Sequence, residues 1–213
     1  MNKKIIVLFG APGSGKGYLG DCIKEELKNA GVNDFMYIST GDLLRAEIKA
    51  QTKLGKEIEQ IVTAGKLVGD AIVSELVAKA LCEPHTIKLI DGYPRTYWQL
   101  DDFITACNKL GDDIISVMRD TSVELIRERV AKRRVCKSCK ATHSVDDGCC
   151  PKCGGASEIR KDDAVIEARL NEYETNTEPI WNELVINSSA ALVVDGSEEA
   201  KDVAKQFVKL LLD

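Results

Sequence analysis

The sequence has no long hydrophobic run, no excess of positive charge and no evident internal repeat or low-complexity segment. Its first apolar run covers only residues 5–9, which is too short for the core of a signal peptide or for a membrane-spanning helix. We therefore expect a cytoplasmic protein without a membrane partner. Acidic residues outnumber basic ones by 34 to 29, which gives a net charge of −5. Because nucleic-acid binding depends on clustered lysine and arginine, we expect no nucleic-acid partner.

Aromatic residues are also scarce, at 5% of the chain, and they are not interleaved with basic residues as in proteins that stack single-stranded bases. What is present is an ordinary globular balance, with 44% hydrophobic and 30% charged residues over 213 positions. A chain of this length can build one hydrophobic core of ordinary size with small inserts.

A glycine-rich loop, G-A-P-G-S-G-K-G at residues 10–17, follows the apolar run and precedes a helical pattern in which Leu19, Ile23 and Leu27 share one face. The loop fits the pattern G-x-x-x-x-G-K, in which backbone N–H groups surround a phosphate while the lysine and the following helix N-terminus add positive charge. Gly17 stands where serine or threonine usually offers a hydroxyl to Mg²⁺. We therefore expect the metal to be held another way, through water.

Short buried-strand patterns alternate with amphipathic helical patterns along the chain. Strands are predicted at residues 5–9, 35–38, 86–90, 114–118 and 191–194. Helices beyond the first are predicted near residues 39–48, 54–65, 71–81, 96–110, 123–134, 163–176, from 179 onward, and 198–212. This alternation predicts an α/β fold in which helices cover both faces of a five-stranded parallel sheet.

The ends of three predicted strands carry polar features that bind phosphate or metal. The glycine loop, Asp42 and Asp91 all follow predicted strands closely. Ligands of parallel sheets bind at the carboxyl ends of the strands. We therefore expect these three features to converge on one site.

Five of the eight cysteines fall in a short stretch of the second half of the chain. Cys136 and Cys139 form one C-x-x-C pair, and Cys150 and Cys153 form another, with ten residues between the pairs. This spacing in a cytosolic chain predicts a tetrahedral Zn²⁺ site. A segment of this size cannot build its own core, so the metal would hold it folded.

The remaining cysteines and a nearby histidine have simpler interpretations. Cys149 is an alternative zinc ligand, although using it breaks the C-x-x-C spacing. His143 is either a further ligand, a nucleotide contact or an ordinary histidine of this segment. Cys22, Cys82 and Cys107 fall in predicted helices and are expected in the hydrophobic core.

Eight cations lie near predicted loops or helix ends, namely Lys16, Arg45, Arg95, Arg129, Arg133, Arg134, Arg160 and Arg169. Phosphoryl transfer depends mainly on positioning and charge neutralisation, so a site that moves phosphate between nucleotides needs several such groups. A solvated surface charge is the alternative for any single arginine, and it stays open for Arg134. The surface-charge interpretation is weaker for Arg95, because the D-G-Y-P-R run places a carboxylate and a guanidinium at one strand end.

A set of motifs in this order resembles the adenylate kinases of the zinc-containing bacterial type, over nearly the whole chain. The motifs are G-A-P-G-S-G-K-G at 10–17, S-T-G-D-L-L-R at 39–45, G-K-L-V at 65–68, D-G-Y-P-R-T at 91–96, R-R at 133–134, R-K-D-D at 160–163 and V-D-G at 194–196. The resemblance implies reversible transfer between ATP and AMP to give two ADP, with Mg²⁺ accompanying ATP and structural zinc in a lid. It also implies a monomer.

Carried over by position, the resemblance implies an ATP site made up of Gly13, Ser14, Gly15, Lys16, Gly17, Tyr18, Arg129, Arg133 and Val193. It implies an AMP site made up of Thr40, Arg45, Lys66, Leu67, Val68, Gly92, Tyr93, Arg95, Gln99, Arg160 and Arg169. The catalytic cations would be Lys16, Arg95, Arg133, Arg160 and Arg169. Asp91 and Asp42 would orient the waters of Mg²⁺, and Gln99 would face the adenine of AMP.

The resemblance also implies a division of the chain. Residues 1–38, 69–131 and 162–213 would form the core domain. Residues 39–68 would form an AMP-binding insert, and residues 132–161 a zinc lid. Both inserts would close over the nucleotides and exclude water that otherwise hydrolyses ATP.

Four features depart from the family pattern. Tyr18 and Gly69 each stand where the family has threonine. The linker between the cysteine pairs is short, and so is the spacing from Asp163 to Arg169. Two alternative functions therefore stay open. One is a kinase of another nucleoside monophosphate, such as UMP or CMP, although Thr40 and Gln99 favour adenine. The other is a nucleotide-binding zinc module with little turnover.

Overall fold

A computed structural model describes residues 3–64, 66, 68–139 and 141–212. The elements of its first half are β1 (Lys4–Phe9), α1 (Lys16–Asn29), β2 (Phe35–Ser39), α2 (Thr40–Ala50), α3 (Lys53–Thr63), α4 (Asp70–Leu81), β3 (Ile87–Asp91) and α5 (Tyr97–Leu110). The second half adds β4 (Asp113–Asp120), α6 (Val123–Lys132), β5 (Arg133–Cys136), β6 (Thr142–Ser144), β7 (Ser157–Glu158), α7 (Ile166–Glu172), α8 (Trp181–Ile186), β8 (Ala190–Asp195) and α9 (Ala200–Leu212).

The central sheet has the strand order β2-β3-β1-β4-β8, and its strands pair in parallel. This confirms the predicted five-stranded parallel sheet. Strand β1 lies in the middle, where Leu8 is opposite Asp91 on one side and Val117 on the other. All five strands therefore end at the same edge, where β1 leads into the glycine loop.

The hydrophobic core lies on both faces of this sheet. Alternate residues of β1 point to opposite faces, as strand geometry requires. Val7 packs with residues of α4 and α5, whereas Leu8 packs with residues of α1 and α9. The predicted apolar face of α1 is buried as expected. The core also contains an ion pair between Lys88 and Asp112, whose side chains are almost fully buried.

Capping side chains fix the starts of several helices near the site. Ser39 accepts a hydrogen bond from the Asp42 N–H at the start of α2, and Thr96 accepts one from Gln99 at the start of α5. Such caps satisfy N–H groups that have no partner within the helix. Gly111 ends α5 in the left-handed conformation, with φ of 67°. The helix predicted over residues 96–110 therefore has the expected limits, with Thr96 as its cap.

Three sequence predictions about local structure are wrong. The helix predicted over 123–134 ends at Lys132, because Arg133–Cys136 pairs with β6 and β7 as a strand. The helix predicted over 163–176 is a 3₁₀ segment, Lys161–Val165, followed by α7 and a π-helical turn, Tyr173–Thr177. Cys82 is exposed at the end of α4 rather than buried in the core.

The cysteine-rich segment folds into its own small antiparallel sheet with the order β6-β5-β7. A 3₁₀ turn, Val145–Asp147, follows β6. Within the described residues, no helix is long and apolar enough to cross a membrane. The predicted end of a helix at Gly65 falls outside the described residues.

Candidate active site

The glycine loop lies where β1 ends and α1 begins, as predicted. Gly10, Gly13 and Gly15 have φ values of 140°, 86° and 91°, which L side chains rarely adopt. A Cβ on Gly13 would lie 2.8 Å from Ile126 Cγ2, and one on Gly10 would lie 2.7 Å from the Arg119 carbonyl oxygen. The glycines are therefore required both by backbone conformation and by close packing.

Two arginines fasten the glycine loop to the loop after β8. The Ser14 carbonyl accepts hydrogen bonds from Arg119 Nε at 3.1 Å and from Arg129 at 3.0 Å. The Gly196 carbonyl accepts from the same two guanidinium groups, at 3.0 and 2.7 Å. Arg119 also donates to the Glu198 carbonyl at 2.7 Å. The predicted ATP residue Arg129 is thus placed at the glycine loop.

Lys16 lies at the start of α1, and its Nζ donates to the Ala11 carbonyl at 3.1 Å. Burial is the main cause that lowers its pKa to about 8; Arg95, Arg169 and Arg160 act in the same direction, and Asp91 opposes them. Positive charges that are concentrated in a partly desolvated cleft favour the binding of anions.

Arg95 is the second cation of this cleft. Its Nε donates to the Gly92 carbonyl at 2.7 Å, and its backbone N–H donates to Gln99 Oε1 at 2.8 Å. Burial lowers the pKa of the Arg95 guanidinium, and Arg160 adds to this effect while Asp91 opposes it. Arg95 therefore places a positive charge in a buried site, where a bound anion would stabilise it.

One cavity joins most of the predicted AMP residues to the lysine of the loop. The predicted residues that line it are Lys16, Thr40, Arg45, Lys66, Val68, Gly92, Tyr93, Arg95, Gln99, Arg160 and Arg169. Its remaining walls include apolar side chains, among them Leu44, Ile48, Val62 and Val73. The predicted residue Leu67 falls outside the described residues.

Two residues of this cavity are held by hydrogen bonds to the structure behind it. Thr40 Oγ1 donates to the carbonyls of Asp91 and Gly92, at 3.2 and 2.9 Å. The buried Tyr93 hydroxyl lies 2.8 Å from Ser74 Oγ and donates to the Gln99 carbonyl at 3.2 Å. These hydrogen bonds fix the positions of both side chains at the cavity wall.

Other predicted residues lie outside this cavity. Asp42 pairs with Arg45 at 2.6 Å, with both side chains largely exposed. Tyr18 is 53% exposed near the start of α1, and Val193 is 57% exposed on β8. Arg133 forms a bidentate ion pair with Asp163.

Asp91 at the end of β3 has the arrangement expected of a residue that faces a hydrated cation. Its Oδ2 accepts from the Tyr37 hydroxyl at 3.1 Å. Its Oδ1 is buried and has no hydrogen-bond partner among the described residues. A Cβ on Gly17 would lie 3.3 Å from Oδ2, so Gly17 keeps the space beside the carboxylate open. Mg²⁺ prefers oxygen ligands and retains several waters, so these residues fit a magnesium ion held through water.

The four predicted zinc ligands converge in the cysteine-rich segment. The sulfurs of Cys136, Cys139, Cys150 and Cys153 lie within 4.8 Å of one another. The Cys136–Cys153 and Cys139–Cys150 sulfur distances are 3.5 and 3.6 Å. Four thiolates around one Zn²⁺, each bound at about 2.3 Å, would lie about 3.8 Å apart. The donor set and its spacing therefore fit zinc.

Neighbouring groups support this arrangement. The Cys139 backbone N–H donates to Cys136 Sγ at 3.5 Å, and this contact is the largest of several that lower the pKa of the Cys136 thiol. Cys149 is exposed and lies outside the cluster. His143 is bonded within the segment, with Nε2 2.6 Å from Ser157 Oγ, and is not part of the cluster.

Sequence reasoning missed two residues that organise the site. Arg119 is buried and bonds three carbonyls around the glycine loop, and Asp70 accepts a hydrogen bond from Gln99 Nε2 at 2.7 Å. The charged Arg119 at the end of an apolar strand pattern was a signal for the first. Asp70 gave no signal, because an acidic residue in the first turn of a helix is common for other reasons.

A phosphate-binding loop at a strand end, with six cations lining one cleft, defines the class of P-loop nucleotide phosphotransferases. The family model described as adenylate kinase matches residues 8–185 of the chain.

Curated relatives lead to the same family. The adenylate kinase of Caldicellulosiruptor saccharolyticus is 34% identical, over 97% of this chain and 98% of its own length. That of Thermosipho melanesiensis is 33% identical over the same shares. That of Symbiobacterium thermophilum is 37% identical over 82% of this chain and 83% of its own. The chain belongs to the adenylate kinase family.

Proposed function

We propose that this chain catalyses reversible, Mg²⁺-dependent transfer of the γ-phosphoryl group of ATP to AMP, giving two ADP. The observation that carries the proposal is the convergence of Lys16, Arg95, Arg160 and Arg169 on one cleft that also holds Thr40 and an apolar wall. The family membership supports this reaction. It does not favour a UMP or CMP kinase, or a zinc module with little turnover.

The ATP phosphates are proposed to bind at the glycine loop. The backbone of Gly13 to Gly17 would surround them, and Lys16 would contact the group that is transferred. Tyr18 and Arg129 would lie beside the nucleotide, and Val193 would offer its backbone carbonyl to the adenine. The hydrogen bonds of Arg129 to the loop support its place there.

The AMP site is proposed to lie in the cavity between α2, β3 and α5. Arg45 and Arg95 would hold the phosphate, while Thr40, Val68 and Gln99 would surround the base. Lys66, Leu67, Gly92 and Tyr93 complete the proposed set. The apolar wall of this cavity supports a planar base as its occupant.

Transfer requires two polyanions to approach each other, so the main barrier is electrostatic. The cations would neutralise charge on the phosphoryl group while it moves between oxygens, and positioned donors of this kind account for much of enzymatic rate acceleration. Lys16, Arg95, Arg160 and Arg169 already meet at the cleft. Arg133 would join them by exchanging Asp163 for phosphate.

Magnesium bound with ATP would add further charge neutralisation. Asp91 would hold it through water, as the free Oδ1 atom supports. Asp42 is proposed as a second carboxylate near this ion, although its pairing with Arg45 gives it another role in this conformation.

Zinc is proposed to hold the lid, through Cys136, Cys139, Cys150 and Cys153. The close sulfurs and the small size of the segment support this. We further propose that residues 39–68 and 132–161 move as inserts on a core of residues 1–38, 69–131 and 162–213. Their closure would exclude water from the phosphates.

The protein is also proposed to act as a cytoplasmic monomer without nucleic acid. The net charge of −5 supports the last point. Sedimentation velocity tests whether the protein is a monomer, because a dimer would have about twice the chain mass of 23.4 kDa.

A coupled assay with Mg-ATP and AMP, CMP, UMP or GMP in turn tests the proposed reaction. Rapid ADP formation with AMP alone supports it. Comparable or faster turnover with a pyrimidine monophosphate would reassign the substrate. Failure of every monophosphate, with ATP binding intact, would overturn the proposal.

A further inference from the structure

The side-chain amide of Gln99 is held from two directions. Its Oε1 accepts a hydrogen bond from the Arg95 backbone N–H at 2.8 Å. Its Nε2 donates one to Asp70 Oδ1 at 2.7 Å. Gln99 is only 2% exposed and lines the cavity, whereas Asp70 is not among the residues that line it. Asp70 therefore supports Gln99 from outside the cavity.

These two partners fix which end of the amide is oxygen and which is nitrogen. A backbone N–H can only donate, and an ionised carboxylate can only accept. Rotating the amide by 180° would place its NH₂ group against the Arg95 N–H and its oxygen against the Asp70 carboxylate. Both contacts would then be repulsive in a buried site, where unmatched polar groups are costly.

The main chain around the amide is also fixed. The Gln99 N–H donates to Thr96 Oγ1 at 3.2 Å, and the Gln99 carbonyl accepts from Tyr93 at 3.2 Å. Asp70 is the first residue of α4, so its carboxylate extends from a regular element rather than from a loop. The amide is thus held by groups that are themselves positioned.

The fixed amide keeps one acceptor and one donor position for a ligand. A primary amide can accept two hydrogen bonds and donate two, and the structure uses one of each on Asp70 and Arg95. A 6-aminopurine offers an N–H donor at its 6-position beside a ring acceptor at N1, which matches this pair. A 6-oxopurine presents the reverse, an acceptor at position 6 beside an N1–H donor. A freely rotating amide would match either base.

We propose that Asp70 is a positioning residue, which fixes the orientation of the Gln99 amide and so makes the monophosphate site select 6-aminopurine over 6-oxopurine nucleotides. This inference rests on the proposed function and deepens it. Discrimination by a fixed pair of hydrogen bonds arises because the wrong base leaves buried polar groups unmatched.

The test compares AMP with IMP, which differ at position 6 and in the protonation of N1. We would measure kcat/KM for each with Mg-ATP in the wild type and in D70N, which keeps the shape of the side chain but can also donate. D70S is a second variant that keeps a short polar residue at the helix start. D202N is the matched control, because Asp202 is an exposed acidic residue in the first turn of α9.

The expected result is a fall of about tenfold in the AMP-to-IMP ratio for D70N and D70S, as expected for relaxing one bidentate base contact. KM for AMP should rise, and KM for ATP should stay the same. D202N should keep the wild-type ratio. In a Gln99→Met background, D70N should change the ratio no further, because Asp70 acts through the amide; a merely structural role would persist there.

The possible outcomes distinguish a failure of this inference from a failure of the proposed function on which it rests. A wild type that prefers AMP, with a ratio unchanged in both Asp70 variants, overturns the inference and leaves the proposed function intact. A wild type that uses IMP as well as AMP also overturns it. A wild type that does not use AMP overturns the proposed function and the inference together.

Discussion

Arg133 and Asp163 form a bidentate ion pair that joins the two ends of the cysteine-rich segment. Arg133 Nε lies 2.9 Å from Asp163 Oδ2, and Arg133 Nη2 donates to Asp163 Oδ1. The two side chains are only 17% and 4% exposed. Removing one member of a buried ion pair strongly destabilises the fold, because the remaining charge loses its partner. The pair therefore fixes the base of the proposed lid in this conformation.

Asp163→Asn should lower the free energy of unfolding by about 3 kcal/mol, because it leaves the Arg133 guanidinium partly buried without its counter-charge. Urea unfolding measures this. The matched control is Glu167→Gln, which removes an exposed ion pair with Arg127. Exposed pairs contribute little, so the control should unfold close to the wild type. Equal effects of the two changes would contradict this account of the lid base.

The low pKa of Lys16 predicts the pH dependence of ATP use. Its pKa is about 8 in the folded protein, because of burial and nearby arginines. The free enzyme should lose the Lys16 charge as the pH rises through 8, so kcat/KM for ATP should fall there. The falling limb of kcat should lie at higher pH, because bound phosphates favour the charged lysine.

Loss of stability would not explain that fall. Between pH 8 and 10.5 the unfolded chain holds more protons on Lys16 than the folded chain does, so this group makes folding more favourable as the pH rises. Lys16→Arg keeps a charge throughout this range and should lose the falling limb, whatever its absolute rate. A wild-type kcat/KM that stays flat to pH 10 would refute the prediction.

Zinc removal should unfold the lid and spare the core. Metal analysis should find one zinc per chain in the wild type and in Cys149→Ser, and none in Cys136→Ser. Chelation should lower phosphotransfer, because the lid would no longer exclude water. Far-UV circular dichroism should change little, since the lid contributes only three short strands to the regular structure. Zinc retained in Cys136→Ser, or lost only in Cys149→Ser, would show that the ligand set is wrong.

Arg119→Met should weaken the link between the glycine loop and the loop after β8. It removes three hydrogen bonds to backbone carbonyls but keeps most of the apolar stem. We expect unfolding stability to fall by about 2 kcal/mol and KM for ATP to rise more than KM for AMP. Arg127→Met, on the exposed face of α6, serves as the control. A rise in KM for AMP alone would argue against this role.

The sequence predicted the central sheet well because its signals are local and strong. The run at residues 5–9 ends in a glycine loop, and β1 is the middle strand of the observed sheet. The helix predicted over residues 96–110 also agrees with α5, whose limits are set by Thr96 and Gly111. These features follow from the chemistry of single residues and their immediate neighbours.

The parts that the sequence did not predict depend on contacts across the chain. Arg133 and Arg134 look helical beside α6, but pairing with β6 makes them a strand. Asp70 and Gln99 are 29 residues apart, and their hydrogen bond exists only because α4 and α5 pack side by side. Likewise, the carbonyl contacts of Arg119 join loops that are distant in sequence. Sequence patterns over a few neighbouring residues do not indicate such long-range contacts.

The most direct test of the account is the turnover of AMP by Arg95→Ala, with its unfolding measured in parallel. We predict a fall of at least about 10³-fold in kcat/KM with the fold retained, since one cation at the transferring group contributes on that scale. Arg127→Ala, an exposed arginine outside the cleft, should stay near the wild type. Near-normal turnover by folded Arg95→Ala would contradict the claim that the converging cations carry out the transfer.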